Sequence, residues 1–419
     1  MKSNLRDPNS RIEKGFHDKV DLWVSELFRR NIVDFSELLL ALPGVYPSEV
    51  LASIRRLEIL GEIPIRHYRE ARRSVAFPRI RTTPLVALPK KTLLEHPLDF
   101  EWRFTRIGVA RICDEIKSLH LRKGAHILCL GCPSVYLIGK ALIPQFTFEL
   151  WDKNAEEIGQ LAEAGELRSF DLAHAGRPSA EADVAVVDPP WYNEFYRVFM
   201  WAAMHSLPIG GRIFVSFPPA GTRPSAVRDL EEFGEWCIRA GIRLEQRMES
   251  YLPYRSPLFE VNALKTEGIG NFPLNWRRGD LLIFVKERLT KTRRPTIAAI
   301  DDNWKEVRVG SARVRIRFGK NSEGIDLVPV GKTEILPSVS SKHKLRPLAN
   351  VVTSGNRFLE TGAPERLFQH LAEIESAQRG GNAPERLRGK RPPLFTRAFE
   401  LVCKEEQEAT DYYSHIHEM

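Results

Sequence analysis

The residues best suited to chemistry form one tetrad: Asp188, Pro189, Pro190 and Trp191. They follow the apolar run 184–187, which predicts a buried parallel strand ending at the acid. Open α/β sheets carry their chemistry at that edge, and consecutive prolines fix the backbone there. The carboxylate and a proline carbonyl can accept both hydrogens of an amino group, while the indole stacks on the attached ring. The alternative is a sharp strand-to-loop turn capped by the aspartate.

Three further strand ends precede the tetrad. Residues 124–131 predict a strand that ends in a glycine, and apolar residues at helical spacing follow it. Glycine at this turn lets the backbone approach a ligand closely. Residues 147–152 predict a second strand ending in Asp152, an acid placed to accept hydrogen bonds from ribose hydroxyls. A third acid, Asp171, follows the short segment 168–170. The series predicts an α/β, Rossmann-like sheet.

The tetrad and these strand ends resemble the Asp-Pro-Pro-aromatic N-methyltransferases of the Rossmann type. The resemblance implies S-adenosylmethionine as cofactor and methyl transfer to an amino nitrogen, with Asp188 and the Pro189 carbonyl holding the amine hydrogens. It implies that Trp191 stacks on the ring and that Tyr192 forms a second wall. The cofactor contacts it implies are Leu130, Gly131, Ser134, Asp152 and Asp171.

The glycine turn departs from that pattern. Residues 131–134 lack the usual second glycine, and Pro133 removes an N–H that would otherwise meet the cofactor. Two hypotheses therefore stand beside each other: an active methyltransferase, or a methyltransferase-like sheet that has lost catalysis and serves nucleic-acid binding or an assembly.

The layout of the first two-thirds of the chain resembles the branched-chain polyamine synthases, which join a winged helix to a Rossmann sheet and transfer aminopropyl groups. Trp102 and Arg103 precede the sheet and are candidates for substrate contact, although a packed indole and a surface guanidinium are the plainer interpretation. That family carries a Gly-Asp-Asp-Asp-Leu run where this chain has residues 131–135, without acids. A net charge of +8 also disfavours a cationic substrate. Aminopropyl transfer is therefore the third hypothesis.

The first 80 residues predict a winged helix-turn-helix. The pattern predicts three helical segments. Asp34 caps the second, and Pro47 opens the third, which ends near Gly61. A β-rich basic segment follows from Ile63. The predicted phosphate contacts are Arg55, Arg56, Arg66, Arg69, Arg72 and Arg73. A protein–protein or dimer module is the alternative.

After a basic linker, residues 307–318 alternate between apolar residues and arginines, which predicts a hairpin with one basic face. That face could bind a phosphate backbone, or it could simply be exposed to solvent. The arginines predicted to contact phosphate are Arg313, Arg315 and Arg317. The predicted segments are a winged helix (1–80), a connector (81–120), the methyltransferase domain (121–290), a β-rich basic domain (296–360) and a helical, partly disordered tail (361–419).

Composition limits the remaining classes. With 419 residues, 43% of them hydrophobic, the chain can hold two or three domains, and its positive charge favours an acidic partner such as DNA or RNA. Five cysteines indicate a reducing compartment, and the lone pair Cys129 and Cys132 favours packing over a metal site. A charged N-terminus and the lack of a spanning apolar run predict a cytoplasmic protein without membrane contact. The sequence leaves the oligomeric state open, and a homodimer or a larger assembly is possible.

Overall fold

The computed structural model describes residues 8–67, 69, 94–154, 166–169, 171, 181–270, 272–297, 303–319, 326–379 and 393–417. The chain divides into two compact units. The first comprises Met1–Arg73, Arg103–Ser256 and Asn271–Ala298. The second comprises Ser74–Trp102, Pro257–Gly270 and Ala299–Met419. These units divide the chain differently from the predicted segments, because the N-terminal helices belong with the main sheet and residues 257–270 belong with the C-terminal part.

The first unit begins with three helices: α1 (Pro8–Arg29), α2 (Phe35–Ala41) and α3 (Pro47–Ile59). The predicted cap is confirmed, since the Asp34 carboxylate accepts the Glu37 N–H at 3.0 Å. The predicted strand from Ile63 is wrong for residues 63–67. Residues 63–66 bend and turn, with the Arg66 N–H bonding the Pro64 carbonyl at 2.9 Å, and residue 67 is helical. Such local bonding takes the backbone out of an extended conformation. Apart from Arg69, the rest of the predicted wing lies outside the described residues, so the winged helix stays a prediction.

Eight strands in the described part of this unit form one sheet: β1 (Arg103–Phe104), β2 (His126–Leu130), β3 (Thr147–Asp152), β4 (Glu166–Ser169), β5 (Val184–Val187), β6 (Arg212–Phe217), β7 (Ile242–Arg255) and β8 (Arg278–Lys286). Their order is β1-β7-β8-β6-β5-β2-β3-β4. Strands β2 to β6 run parallel to one another, whereas β8 runs antiparallel to both β6 and β7. The helices of this sheet are α4 (Arg106–Ser118), α5 (Pro133–Leu142), α6 (Asn193–Ser206) and α7 (Ala226–Ala240). The Rossmann-like α/β prediction is confirmed.

Apolar alternation explains how the sheet is covered. The side chains of Leu128, Ala185, Ile213 and Leu282 point to one face and join a single core with α6 and α7. The central strands β2 and β5 are buried along almost their whole length, as parallel strands with two covered faces must be. The carboxyl ends of β2 to β6 therefore meet at one edge of the sheet.

The second unit is built on a five-stranded antiparallel sheet in the described residues. Its elements are α8 (Leu258–Thr266), β9 (Trp304–Val309), β10 (Ala312–Arg317), β11 (Leu327–Pro329), β12 (Val351–Thr353), β13 (Phe358–Thr361), α9 (Pro364–Arg379) and α10 (Pro393–His417). The strand order is β11-β13-β12-β10-β9. Residues of α9 and α10, including Leu371 and Leu401, pack against Val314 and Val351 of the sheet. The β-rich prediction for this region is confirmed.

Arg313 and Arg315 correct the predicted basic face. Their residues are 1% and 9% exposed, and both guanidiniums pair with Asp99 and Glu306 at 2.7–2.9 Å. Arg313 also donates to the Leu94 carbonyl at 3.2 Å. Residues 94–101 and Glu306 thus bring carboxylates and carbonyl groups to these arginines, which are no longer available to a phosphate backbone. Arg317 is partly exposed and donates to the carbonyls of Pro347 and Ala349 at 2.8 and 2.9 Å.

The C-terminal acids are also structural. Glu405 of α10 is fully buried, pairs with the guanidinium of Arg357 and accepts the Thr353 hydroxyl at 2.7 Å. Glu406 accepts the Ser311 N–H at 3.0 Å. Because these carboxylates fasten α10 to the sheet, residues 393–417 form part of this unit rather than a tail, and residues 380–392 lie outside the described part of the chain. In that part, every helix is too short or too polar to cross a lipid bilayer.

We expect Asp99→Asn to destabilise the second unit by about 3 kcal/mol at pH 7, because it leaves two buried guanidiniums short of a counter-charge. Burial raises the pKa of Asp99, but Arg315 and Arg313 outweigh burial and hold this pKa well below its ordinary value. The stabilisation is therefore complete above the pKa of the unfolded carboxyl and is lost only in strong acid. Hydrogen exchange of β10 during urea titration measures the effect. The exposed Asp326→Asn is the control, and equal stability of the two variants would contradict the prediction.

Candidate functional site

The predicted cofactor residues lie at the ends of adjacent parallel strands. In register, Leu130 of β2 stands beside Trp151 of β3 and Val187 of β5. Asp152 ends β3 opposite Ser169, the last residue of β4, and Asp171 follows two residues later. The structure therefore brings the strand ends that carry Gly131, Asp152, Asp171 and Asp188 to one edge of the sheet.

Gly131 makes the tightest turn at this edge. Its φ is +64°, and a Cβ atom here would lie 2.8 Å from a ring carbon of Phe199 and 3.1 Å from the Asp188 carbonyl oxygen. Its N–H bonds the Trp151 carbonyl at 3.0 Å. A residue with a side chain would be strained and would clash. The glycine thus allows the loop after β2 and the loop after β5 to touch.

Helix α5 starts immediately after this turn. Cys132 is its N-terminal flanking residue and Pro133 its first residue, a position where the missing N–H costs no helical bond. The Cys132 thiol donates to the Val186 carbonyl at 3.3 Å and is buried, as is Ser134. Pro133 therefore serves as a helix start, and it leaves the amides of the following residues at the helix N-terminus. Cys129 and Cys132 are both buried free thiols, and the described residues include no group of three or more ligands that could hold a metal.

Asp152 is held in a fixed orientation. Its carboxylate accepts the Asn154 N–H at 2.8 Å, which turns the chain away from β3. The carboxylate is partly exposed, and so is Asp171. Both acids are accessible at the strand ends.

Asp188 is fixed by three strands. Its N–H bonds the Leu130 carbonyl at 3.1 Å, and its Oδ1 accepts the hydroxyl of Tyr254, on β7, at 2.6 Å. Ser216, on β6, also contributes a hydrogen bond to this carboxylate and shares a short hydrogen bond with the Tyr254 hydroxyl. The carboxylate consequently has one orientation, which two hydroxyl groups define.

The close approach of these hydroxyls depends on Gly279 of β8. A Cβ atom at this position would lie 2.7 Å from the Ser216 Oγ and 3.1 Å from a ring carbon of Tyr254. The Ser216 carbonyl in turn accepts the hydroxyl of Tyr196 at 2.8 Å. The glycine leaves the space in which the two hydroxyls meet the carboxylate.

The electrostatics of Asp188 follow from this packing. Burial raises its pKa well above the ordinary value, although the hydrogen bonds from Tyr254 and Ser216 act in the opposite direction. Burial and the nearby Asp188 charge raise the pKa of Tyr254 as well, so the phenol stays a donor. A carboxyl group with a raised pKa at a sheet edge is a functional-site signal, because such groups gain from a ligand that donates hydrogen bonds.

Trp191 of the tetrad and the residue after it, Tyr192, are the aromatic residues that follow Asp188. Trp191 is partly exposed and lies edge-on to Tyr254 at 5.5 Å, and the Arg277 guanidinium stacks over its ring at 5.6 Å. The Pro190 carbonyl accepts the Tyr192 N–H at 2.7 Å. Arg223 stands over the Tyr192 ring at 5.7 Å. The Trp191 ring thus contacts the tyrosine that holds the acid, and each of the two rings has an arginine beside it.

The two residues before the sheet that were predicted to contact substrate, Trp102 and Arg103, lie next to other protein residues. Trp102 belongs to the second unit, where it packs edge-on against Phe259 at 5.1 Å and donates to Glu260 at 3.4 Å. Arg103 lies on β1 opposite Arg255. Packing accounts for the indole of Trp102, and a substrate contact for either residue stays a prediction.

The N-terminal arginines differ from one another. Arg55, Arg66 and Arg69 are exposed. Arg56 makes a two-pronged ion pair with Asp21 at 2.7–3.2 Å, which raises the pKa of Arg56 and holds α3 against α1. Its predicted phosphate contact stays a prediction. Arg72 and Arg73 lie outside the described residues.

The sequence analysis missed Tyr254, Ser216, Gly279 and Arg277. Ser216 is the polar position near the end of the apolar strand β6, a visible signal. Tyr254 and Arg277 gave no such signal. They are far from Asp188 in sequence, and they reach the site through the antiparallel pairing of β7 with β8, which the sequence pattern does not reveal.

No model of a protein family matches the sequence, and a search of curated proteins by sequence finds no relative. Solved structures match the fold. The branched-chain polyamine synthase of Thermus thermophilus, in complex with N4-aminopropylspermidine and 5′-methylthioadenosine, matches with a TM-score of 0.50 and 11% identity over 69% of this chain and 95% of that chain. A mutein of the same enzyme matches equally well, with 12% identity. A putative RNA methyltransferase from Pyrococcus horikoshii covers 48% of this chain and 95% of its own, with 14% identity and a TM-score of 0.34.

We expect Asp188→Asn to make the protein more stable than the wild type at neutral pH. The folded pKa of Asp188 is raised, so the folded state binds the proton more tightly, and wild-type stability falls as the pH rises from about 4 through the folded pKa. The asparagine removes this loss while its amide oxygen still accepts the Tyr254 hydroxyl. Urea denaturation at several pH values measures the gap between the curves. A constant gap, or one matching the control Asp326→Asn, would contradict the prediction.

Proposed function

We propose that this protein transfers a methyl group from S-adenosylmethionine to an amino nitrogen of a nucleic acid base. The observation that carries the proposal is the close approach of Gly131 to the Asp188 carbonyl. It brings the turn after β2, where a nucleoside cofactor would bind, next to the carboxyl group that would accept the hydrogens of the amine. The similarity in fold to a synthase solved with 5′-methylthioadenosine supports a site for an adenosyl thioether or sulfonium.

The residues at the strand ends fit such a cofactor. The loop after β2 turns at Gly131 next to Asp188, and Asp152 offers a carboxylate at the second strand end for the ribose hydroxyls. The N-terminus of α5 offers a positive dipole end to the methionine carboxylate, with Ser134 in its first turn. Asp171 lies at the third strand end, where the adenine would border. When bound, the cofactor supplies an already activated methyl group.

The tetrad positions the amine. Asp188 and the Pro189 carbonyl would accept its two hydrogens, which turns the nitrogen lone pair away from them. Among the described residues no donor occupies the Pro189 carbonyl. Trp191 and Tyr192 would bracket the ring that carries the amine. Tyr254 and Ser216 would prevent the carboxylate from rotating out of this geometry.

The raised pKa of Asp188 suits the fate of the proton. A methylated amine must release a proton after transfer, and a carboxylate with a raised pKa is a stronger acceptor than one in water. No base stronger than this is required before transfer, because the activated methyl group reacts with the neutral amine.

The proposed acceptor follows from charge and stacking. The chain carries a net charge of +8, and Arg55, Arg66 and Arg69 are exposed in the N-terminal helices and the turns that follow. A base in a duplex would have to leave the stack to reach Asp188, which the aromatic walls favour. Loss of catalysis is the alternative that Pro133 favours. Aminopropyl transfer is the alternative that the fold similarity favours, but the loop 131–135 carries no acid for a polyamine.

We expect S-adenosylmethionine to bind in calorimetry and Asp152→Ala to weaken binding by about tenfold, since one charged hydrogen-bonding partner is worth about 1.5–3 kcal/mol. Asp188→Asn is the matched control and should bind the cofactor within about twofold of the wild type. Absence of binding to the wild type would leave the non-catalytic alternative.

We expect Asp188→Ala to lower methyl transfer to DNA or RNA pools by at least about 100-fold with the fold intact by circular dichroism. Tyr254→Phe should lower it by a smaller factor, because the acid remains but loses its orienting hydroxyl. Radiolabelled methyl donor measures the rate, and mass spectrometry of the product separates methyl from aminopropyl transfer. Full activity of Asp188→Ala would refute the site.

A further inference from the structure

Two buried hydrogen-bond donors lie two residues apart in sequence, at Trp276 and at Arg278, the first residue of β8. Trp276 is 1% exposed, and its indole N–H has no hydrogen-bond partner among the described residues. The Nε–H of Arg278 is buried and, within the same part of the chain, also lacks an acceptor. Both groups can only donate, and each buried unsatisfied donor costs about 1–3 kcal/mol. Together they indicate a ligand that supplies acceptor oxygens.

Arg277 links these donors to the amine site. Its guanidinium lies 4.8 Å from the Trp276 ring and 5.6 Å from the Trp191 ring. Its carbonyl accepts the Tyr254 N–H at 2.9 Å, and Arg278 stands opposite Pro253 in the β7–β8 ladder. The donors therefore share a border with the residues that hold Asp188.

Positive charge accumulates at this place. Burial lowers the pKa of Arg278, and the nearby charge of Arg111 lowers it further. Arg111 stacks on the Tyr251 ring at 4.9 Å and donates to the Tyr251 carbonyl at 2.5 Å. A buried guanidinium whose charged neighbour is another guanidinium is stabilised by an anion.

The loop between α2 and α3 supports this site from the N-terminal side. Tyr46 packs edge-on against Trp276 at 5.6 Å, and the Gly221 N–H bonds the Pro43 carbonyl at 2.9 Å. A Cβ atom on Gly44 would lie 3.1 Å from the hydroxyl of Thr222, which is itself a buried group without a partner in the described residues. The loop after β6 and the loop between α2 and α3 thus contact each other, and Tyr46 of the latter packs on Trp276.

We infer that Trp276, Arg277 and Arg278 bind a phosphate group that the methyl acceptor carries next to its amine. A tetrahedral phosphate offers several acceptor oxygens to an indole N–H and two guanidiniums at once. The stacking surface of Trp191 on one side and the phosphate site on the other match the two halves of a nucleotide. The identity of the amine rests on the proposed function, whereas the phosphate site stands on the buried donors alone.

Binding of defined ligands tests the inference. The probes are a fluorescein-labelled single-stranded DNA 12-mer of cytosines, 5′-CMP and cytidine, which separate a polymer phosphate, a free nucleotide phosphate and the base alone. We expect Arg278→Gln to weaken binding of the phosphate-bearing probe about tenfold and Trp276→Phe about threefold. The slope of log affinity against log salt should fall by about 0.7 for Arg278→Gln on the 12-mer. Arg243→Gln, an exposed arginine of β7 paired with Glu287, is the matched control and should change neither quantity.

Each outcome decides the inference. Tighter binding of the 12-mer than of 5′-CMP assigns the site to nucleic acid, and equal binding of both assigns it to a free nucleotide. The inference is overturned if cytidine, 5′-CMP and the 12-mer bind with the same affinity and that affinity does not depend on salt. It is also overturned if Arg278→Gln leaves binding of the phosphate-bearing probes unchanged. The methyl transfer assay is independent: phosphate binding without methyl transfer would refute the proposed function alone, and methyl transfer with no effect of Arg278→Gln on either assay would refute the phosphate site alone. Circular dichroism of Trp276→Phe and Arg278→Gln verifies that both variants fold.

Discussion

The arrangement of the first unit depends on one desolvated carboxylate. Burial makes the charge of Asp188 costly, and the structure compensates with hydroxyls from two other strands, Tyr254 and Ser216, rather than with a cation. Gly279 and Gly131 are needed because the hydroxyls on one side and the cofactor loop on the other must come unusually close. A partly exposed carboxyl group whose pKa is raised and whose orientation is set by two hydroxyls is typical of a site that gains from a hydrogen-bond donor.

The parallel half of the sheet could be predicted from the sequence, and the antiparallel half of the site could not. Apolar runs that end in Gly131, Asp152 and Asp188 place three strand ends at one edge, whichever sequence fills the helices. Tyr254 and Trp276 reach the same place through the register of β7 against β8, where bulges shift the pairing between Leu244 and Leu252. Alternation in a single sequence fixes faces but not such shifts, so those partners emerge only in three dimensions.

Charge patterns were the least informative part of the sequence. Alternating arginines on β10 fit a phosphate-binding face and a buried ion network equally well, because both need the same period of two. Asp99 decides between them, and it lies more than 200 residues earlier in the chain. Arg56 is a similar case, since its partner Asp21 is one helix away. Local sequence shows where a charge is placed, but whether that charge meets solvent depends on a distant partner.

The distribution of charge at the site also bears on its relation to the polyamine synthase fold. A polyamine carries several positive charges. At this site it would meet Arg277, which lies beside Trp191, and Arg278, which lies near Arg111. Residues 131–135 contain no acid that would offset these charges. Two unit charges at about 4 Å repel by about 4 kcal/mol near a protein surface, which is sufficient to exclude a cation by roughly a thousandfold. The same guanidiniums attract a phosphate by a comparable amount. A shared sheet therefore does not fix the substrate, because a few charged residues beside it, such as Arg277 and Arg278, change which ligands the same fold favours.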